Sequence, residues 1–328
     1  MNNCELNNTV ICGDTLENVR GLPDASIDCV ITSPPYWQLR DYGFPEQWGL
    51  EKTYQEYLEH LWSLMDEIYR VLKDTGTVWI NLGDSYYGSG HGNWSKFDRG
   101  EIEKKDAYYG EGRNSSPITD WDYSKMQQKT LMLIPHRFAI GCIDRGWILR
   151  NDIIWAKRNG MPESVRDRFS KKHEFIFFMV KQQKYYFDLD GVRSPHKENS
   201  LERIKHGWKS EHDSIGSIDV KEMGDRFCNP SGKNPGDVSD FWDIPTQPSS
   251  EKHYATFNTD LIDKPIVAGC PEGGIILDPF CGTGTTLIRG LQLGRQVIGI
   301  DGKAEYCEIA TKRITSELNQ IKMEFNEK

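Results

Sequence analysis

The chain has 328 residues, of which 37% are hydrophobic and 11% aromatic. That supports one large or two modest domains with a buried core and excludes a disordered polymer. The formal net charge of −9 argues against a protein that coats nucleic acid nonspecifically, although a local basic surface would still serve phosphate contacts. No apolar run approaches the ~18 residues of a membrane span. The first residues lack the basic start and apolar stretch of a signal peptide, so a cytoplasmic protein without membrane contact is expected.

In chain order, Val10-Ile11-Cys12-Gly13-Asp14 reads as a short strand ending in a loop, and Asp28 to Thr32 as a second strand. Both are apolar on consecutive positions, as strands covered on two faces tend to be. From Tyr54 to Lys73 apolar residues fall at 54, 57, 58, 61, 64, 65, 68, 71 and 72, which is helical spacing, and Gly76 is the expected stop. Thr77 to Leu82 is a strand again, so the order suggests a parallel α/β sheet. Residues 84–130, rich in Gly, Ser, Tyr, Asp and Lys, read as an inserted loop. Order returns at Asp152 to Trp155 and at Phe175 to Val180, and residues 191–250 are polar once more. A stretch that long is either functional or a small module. The last ordered part is a β-α-β-α unit: a strand at Ile275 to Pro279, a helix at Thr285 to Leu293, a strand at Val297 to Asp301 and a helix at Ala304 to Leu318.

Eight cysteines are scattered without a C-x-x-C pair, and the eight histidines form no H-x-x-x-H pair, so no metal site is expected. Most of these thiols should be small buried hydrophobes.

Two motifs carry chemistry. Asp278-Pro279-Phe280-Cys281-Gly282-Thr283-Gly284-Thr285-Thr286 lies between a predicted strand and a predicted helix. Its glycines let backbone amides approach a ligand at the helix N-terminus. Asp301 ends the next strand, about twenty residues on, where a carboxylate can accept hydrogen bonds from ribose hydroxyls. Any adenosine-bearing cofactor fits this geometry. An NAD site would need G-x-G-x-x-G, and the run is broken here by Thr286 and Leu287. Cys281, inside that turn, is expected to pack rather than to react.

The second motif, Thr32-Ser33-Pro34-Pro35-Tyr36-Trp37, follows a buried strand. Two prolines stiffen the backbone and remove amide donors, leaving carbonyls to accept hydrogen bonds. That suits an exocyclic amine, whose two N–H groups must be received while its nitrogen is drawn toward tetrahedral geometry. Ser33 Oγ and the Pro34 carbonyl are the candidate acceptors, and Tyr36 would stack on an extruded base.

The cofactor segment resembles the S-adenosylmethionine-binding motif of DNA amino-methyltransferases, and the two motifs in this order resemble the β-type enzymes of restriction–modification systems and phages. The resemblance implies a doubly wound, mainly parallel Rossmann-like α/β sheet assembled from both ends of the chain. Residues 1–190 would form the catalytic half, 191–250 the target-recognition region, and 251–328 the cofactor-binding half of the same domain. S-adenosylmethionine would be the methyl donor and S-adenosylhomocysteine the product. The implied catalytic residues are Ser33, Pro34, Pro35 and Tyr36. The implied cofactor residues are Asp14, Thr256, Phe257, Asp278, Phe280, Gly282, Gly284, Thr285, Thr286 and Asp301. Within His253-Tyr254-Ala255-Thr256-Phe257 the match is close, but Asn258 replaces the usual proline. The run Asp152 to Ser164, with Arg168 and His173-Glu174, resembles the stretch lining the base pocket.

DNA contacts are assigned to Trp37, to the cluster Arg166, Arg168, Lys171 and Lys172, and to Lys205 with its neighbours Lys197, Arg203, His206 and Lys209. In this family S-P-P-Y goes mostly with N4 of cytosine and D-P-P-Y with N6 of adenine. The resemblance therefore implies transfer to N4 of cytosine in DNA by base flipping, with N6-adenine as the alternative and an RNA or protein-glutamine substrate behind it. It implies double-stranded DNA as partner, allows a cognate restriction endonuclease, and is satisfied by a monomer or weak dimer.

Overall fold

The computed structural model describes residues 7–44, 46–87, 127–160, 163–195, 238–246 and 259–326. Its apolar runs become strands: β1 (Thr9–Cys12), β2 (Ile27–Thr32), β3 (Leu72–Leu82), β4 (Ile148–Ala156), β5 (His173–Val180), β6 (Phe241–Asp243), β7 (Ile275–Asp278) and β8 (Gln296–Asp301). They join one sheet in the order β1-β8-β7-β2-β3-β5-β4-β6. All neighbours run parallel except β5, which is antiparallel to both β3 and β4. The sheet is therefore the mainly parallel one expected, with β7 and β8 from the end of the chain seated between β1 and β2 from its beginning.

Helices cover both faces, which is why the central strands carry no polar alternation. One face holds α1 (Thr15–Arg20), α2 (Tyr54–Val71) and α3 (Ile134–Asp144), with Tyr57, Leu61, Met65, Ile68 and Phe138 buried against Val30, Val78 and Ile80. The other holds α4 (Thr259–Gly269), α5 (Thr285–Gln292) and α6 (Ala304–Asn326), with Leu287, Leu291 and Ile314 against Cys29, Ile276 and Val297. Each such side chain contributes about 1.5–3 kcal/mol of burial. None of the described helices is long and apolar enough to cross a membrane.

Local chemistry sets the helix ends. Thr53 and Glu56 form a capping box on α2, each side chain accepting from the other's backbone amide. Leu133, the N-cap of α3, has φ +54° and no polar side chain. The cap is supplied from fifty residues away: the Asp84 carboxylate accepts from Leu133 N at 3.1 Å and Ile134 N at 3.0 Å.

The chain departs from expectation at the end of α2. Helix α2 stops at Val71, and its cap residue Leu72 is already extended and opens β3. Gly76 is thus a strand residue rather than a helix stop; a Cβ there would lie 2.7 Å from the Leu72 side chain and 3.0 Å from the Asp28 carbonyl. Of the 84–130 insertion only the ends are described. They close on each other through a Tyr86–Leu131 bridge and the Tyr87 N to Thr130 O bond of 2.8 Å. Residues 196–237 and 247–258 of the polar middle segment and its flank lie outside the described residues.

Candidate active site

Strands β7 and β2 are neighbours, but the chain leaves β7 for α5 on one face and continues from β2 toward α2 on the other. Diverging connections leave a crevice at the carboxyl ends of the strands. Both sequence motifs open into it, and a cleft of about 530 Å³ forms there.

The two motifs are tied together by Asp278. Its Oδ1 accepts from the Thr32 hydroxyl at 2.7 Å and from the Phe280 amide at 3.1 Å. Burial pushes this carboxyl up to about 6, against the lowering effect of those donors. Asp278 does not line the cleft. It holds the wall from behind, so its assignment as a cofactor contact is corrected to a strut. Gly284 is a second correction: its φ is +83°, and a Cβ would meet that of Ala310 in α6 at 3.1 Å. It permits a tight turn and a close helix contact, and it is not among the residues lining the cleft.

Other cofactor candidates do face the cleft: Asp14, Phe280, Gly282, Thr285, Thr286 and Asp301. The Asp301 carboxylate receives Gly282 N and Lys303 N, each at 2.9 Å, and fixes the glycine turn, while burial raises its pKa. Asp14 caps α1 by accepting from Glu17 N at 2.9 Å. The wall opposite is the segment after the second motif. Trp48 packs edge-on to Phe280 at 5.3 Å, Phe44 lies against Gly302, and Lys303 Nζ donates to Tyr42 O at 3.2 Å. A glycine turn at one wall, aromatic rings at the other and a carboxylate at a strand end suit an adenosine-bearing ligand. Thr256 and Phe257 lie outside the described residues.

Ser33, Pro34, Pro35 and Tyr36 all line the same cleft. Pro35 O is fixed by the Tyr57 hydroxyl at 2.8 Å. Among the described residues no donor reaches the carbonyl of Pro34. The Tyr36 ring rests on Gly83, where a Cβ would come within 2.5 Å of it. Its hydroxyl donates to Glu174 Oε2 at 2.8 Å and accepts from Asn81 Nδ2 at 2.7 Å, with Ser33 Oγ 3.4 Å away. Glu174 is in turn paired with Lys157, whose ammonium sits 4.2 Å from the centre of the Trp155 ring. Burial, and then the Glu174 charge, hold the phenol well above its ordinary pKa, so it remains a donor.

Asn81, Arg40, Trp48 and Tyr306 were not anticipated as cleft residues. Asn81 carried a faint signal, as a lone amide in the apolar strand Thr77-Val78-Trp79-Ile80-Asn81-Leu82. Trp155, Lys157 and Glu174 belong to the stretch whose resemblance pointed to a base pocket, and they line the cleft.

The DNA-contact assignments divide. Trp37 is 7% exposed, packs edge-on to Tyr54 and donates to Glu51 O at 3.1 Å, so it is a core residue. It does not line the cleft. Lys171 is also turned inward: its ammonium is buried 3.9 Å from Asp84, and burial lowers its pKa. Arg168 is engaged by Glu163 at 2.6 Å and by the Tyr86 ring. Arg166 and Lys172 remain exposed, and Lys205 lies outside the described residues. Cys281 is buried with its thiol pKa pushed well up, as packing requires.

The chain is similar to known proteins along most of its length. The family model N6_N4_Mtase, described as DNA methylase, matches residues 27–312. The Type II methyltransferase M.Cfr9I of Citrobacter freundii is 37% identical over 95% of this chain and 90% of its own length. M.SmaI of Serratia marcescens is 36% identical over 93% and 90%. Among solved structures, the PvuII DNA methyltransferase (cytosine-N4-specific) superposes with a TM-score of 0.61 at 16% identity, over 95% of this chain and 91% of that one. A DNA modification methylase of Thermus thermophilus, complexed with S-adenosyl-L-methionine, gives 0.55 at 23% identity, over 94% and 95%. The chain belongs to the N6_N4_Mtase family of DNA methylases, the β-type amino-methyltransferases of restriction–modification systems.

Proposed function

We propose that this DNA methylase acts on N4 of cytosine in double-stranded DNA. The observation that carries the reading is the Ser33-Pro34-Pro35-Tyr36 turn, which opens into the cleft with a neutral hydroxyl as its first side chain. S-adenosylmethionine, when bound, supplies an electrophilic methyl on a positively charged sulfur. Asp301, Phe280, Gly282 and the Thr285-Thr286 helix start are the residues that would hold it, with Thr256 and Phe257 beside its methionine end.

Ser33 Oγ and the Pro34 carbonyl receive the two N–H groups of the amine and draw its lone pair out of ring conjugation. Tyr36, backed by Gly83 and held at its hydroxyl, presents a fixed ring face to the extruded base. Positioning of the nitrogen then supplies most of the acceleration. Lys157, at the cleft wall, would favour cytosine, whose base-pairing edge offers adjacent acceptors at N3 and O2 where that of adenine offers only N1. Residues 191–250 would read the sequence, and a companion endonuclease and a monomer or weak dimer are part of the same reading.

Purified protein incubated with S-adenosylmethionine and unmethylated bacterial DNA, followed by nucleoside mass spectrometry, tests it. N4-methylcytosine, greatly reduced by Ser33→Ala and Tyr36→Ala, is the expected result. N6-methyladenine instead would overturn the choice of base and leave the fold and the site in place.

A further inference from the structure

The loop joining β4 to β5 begins beside one cleft residue, Lys157, and ends beside another, Glu174. Because β4 runs antiparallel to β5, and β5 antiparallel to β3, this loop lies at the edge where β2 and β3 end. From Glu163 to Lys172 it carries four cations against two carboxylates, a local excess of positive charge in an acidic chain. It also carries Phe169, which is 96% exposed, whereas the next most exposed large hydrophobics among the described residues, Ile140 and Met323, stand at 59%.

Single exposed apolar residues are ordinary. Phe169 differs in that the backbone around it is anchored. Lys157 N donates to Lys172 O at 2.8 Å, closing the base of the loop. Glu163 Oε2 receives Arg168 Nη1 at 2.6 Å and Lys171 N at 3.4 Å. Arg168 also donates to the Phe169 carbonyl at 3.0 Å and lies 3.9 Å from the centre of the Tyr86 ring. Asp167 pairs with Lys129. The residues on either side of Phe169 are thus fastened to the segment that leaves β3, and the phenyl ring is left pointing outward.

We propose that Phe169 is a wedge that enters the DNA stack at the position the target base vacates. The proposal rests on the reading of the cleft as a site for an extruded base. Flipping leaves a gap and an unpaired partner base, and a flat apolar ring replaces the lost stacking without reading sequence. Exposed Arg166, three residues before the ring, is available to meet a phosphate, while the Lys172 ammonium is held by the Gly160 carbonyl. A protein surface is the other occupant such a ring could take.

The test uses the full chain on short duplexes carrying the modified sequence, first mapped on methylated plasmid. In one duplex the target cytosine faces guanine; in the other it faces an abasic site and is already unpaired. Phe169→Ala should lower kcat/KM on the paired duplex about tenfold, the rate equivalent of one base–aromatic stacking contact. It should lower it less than about threefold on the unpaired one, since less opening is needed there. Phe169→Trp, which keeps a flat ring, should restore the paired rate. Equal losses on both duplexes, or no loss on the paired one, would overturn the wedge. Transfer by wild type to the paired duplex separates the two readings: its absence sinks the DNA assignment as well, whereas its presence beside an unaffected Phe169→Ala removes the wedge alone.

Discussion

Replacing Tyr36 by phenylalanine separates the ring from its hydroxyl. The ring, still seated on Gly83, would continue to stack, but three hydrogen bonds disappear: the one donated to Glu174 at 2.8 Å, the one accepted from Asn81 at 2.7 Å and a long one accepted from Ser33 at 3.4 Å. A bond to a charged acceptor is worth about 1.5–3 kcal/mol. Asn81 keeps a 3.1 Å bond to Glu174, so the carboxylate is not stranded, and the loss should fall near the middle of that range. About 2 kcal/mol of lost transition-state positioning corresponds to roughly a thirtyfold fall in kcat/KM. Tyr36→Ala should lose more, because stacking goes too. Glu174→Ala breaks the same bond from its other end and removes the pairing with Lys157. If the hydroxyl acts through Glu174, the double variant should be little worse than the poorer single one, a coupling of about 2 kcal/mol. Labelled-methyl transfer to plasmid DNA under single-turnover conditions measures all four proteins. Additive losses, or an unimpaired Tyr36→Phe, would show that the network does not position the ring.

Gly83→Ala places a methyl within 2.5 Å of the Tyr36 ring, so it should cost at least tenfold in turnover while the melting-temperature rise with S-adenosylmethionine is retained. Asp278 is buried with its pKa raised to about 6, so the native state holds a proton that the unfolded chain releases. Stability should therefore fall as pH rises from about 4 through 6, by up to about 3 kcal/mol, and Asp278→Asn should abolish that fall in paired denaturation curves. A variant as pH-dependent as wild type would contradict the assignment. Asp84→Ala orphans two amides at the start of α3 and should destabilise by about 1–2 kcal/mol in urea melts; Asp84→Asn, which keeps one acceptor oxygen where the amides use both, should restore no more than part of the loss.

The strands were legible because double-sided burial leaves apolar runs, and the two motifs because each sits at a strand end where backbone shape is unusual. What escaped depends on partners distant in the chain. Asn81 matters only because β5 lies beside β3 and brings Glu174 to it, and no local pattern encodes that register. The end of α2 was misplaced at Gly76 because the helix needs no glycine to stop: Leu72 passes straight into a strand held by β2. Trp37 shares a motif with Tyr36 yet faces the core, where Tyr54 and the Glu51 carbonyl, both distant in the chain, hold its ring. Lys171 belongs to a basic run, but its neighbour Asp84 turns it inward.

The sheet order has a consequence for the making of the enzyme. β1 and β2 are never bonded to each other; each awaits a neighbour, β8 or β7, that is translated more than two hundred residues later. Until residue 278 has left the ribosome, Thr32 lacks the carboxylate that steadies the turn before Ser33. Such long-range closure is slow and leaves strand edges open in the nascent chain. A truncated or stalled chain would hold the complete S-P-P-Y turn with neither the strut beneath it nor the wall that receives the methyl donor. DNA methylation would therefore begin only after β7 and β8 have been made and have closed the sheet.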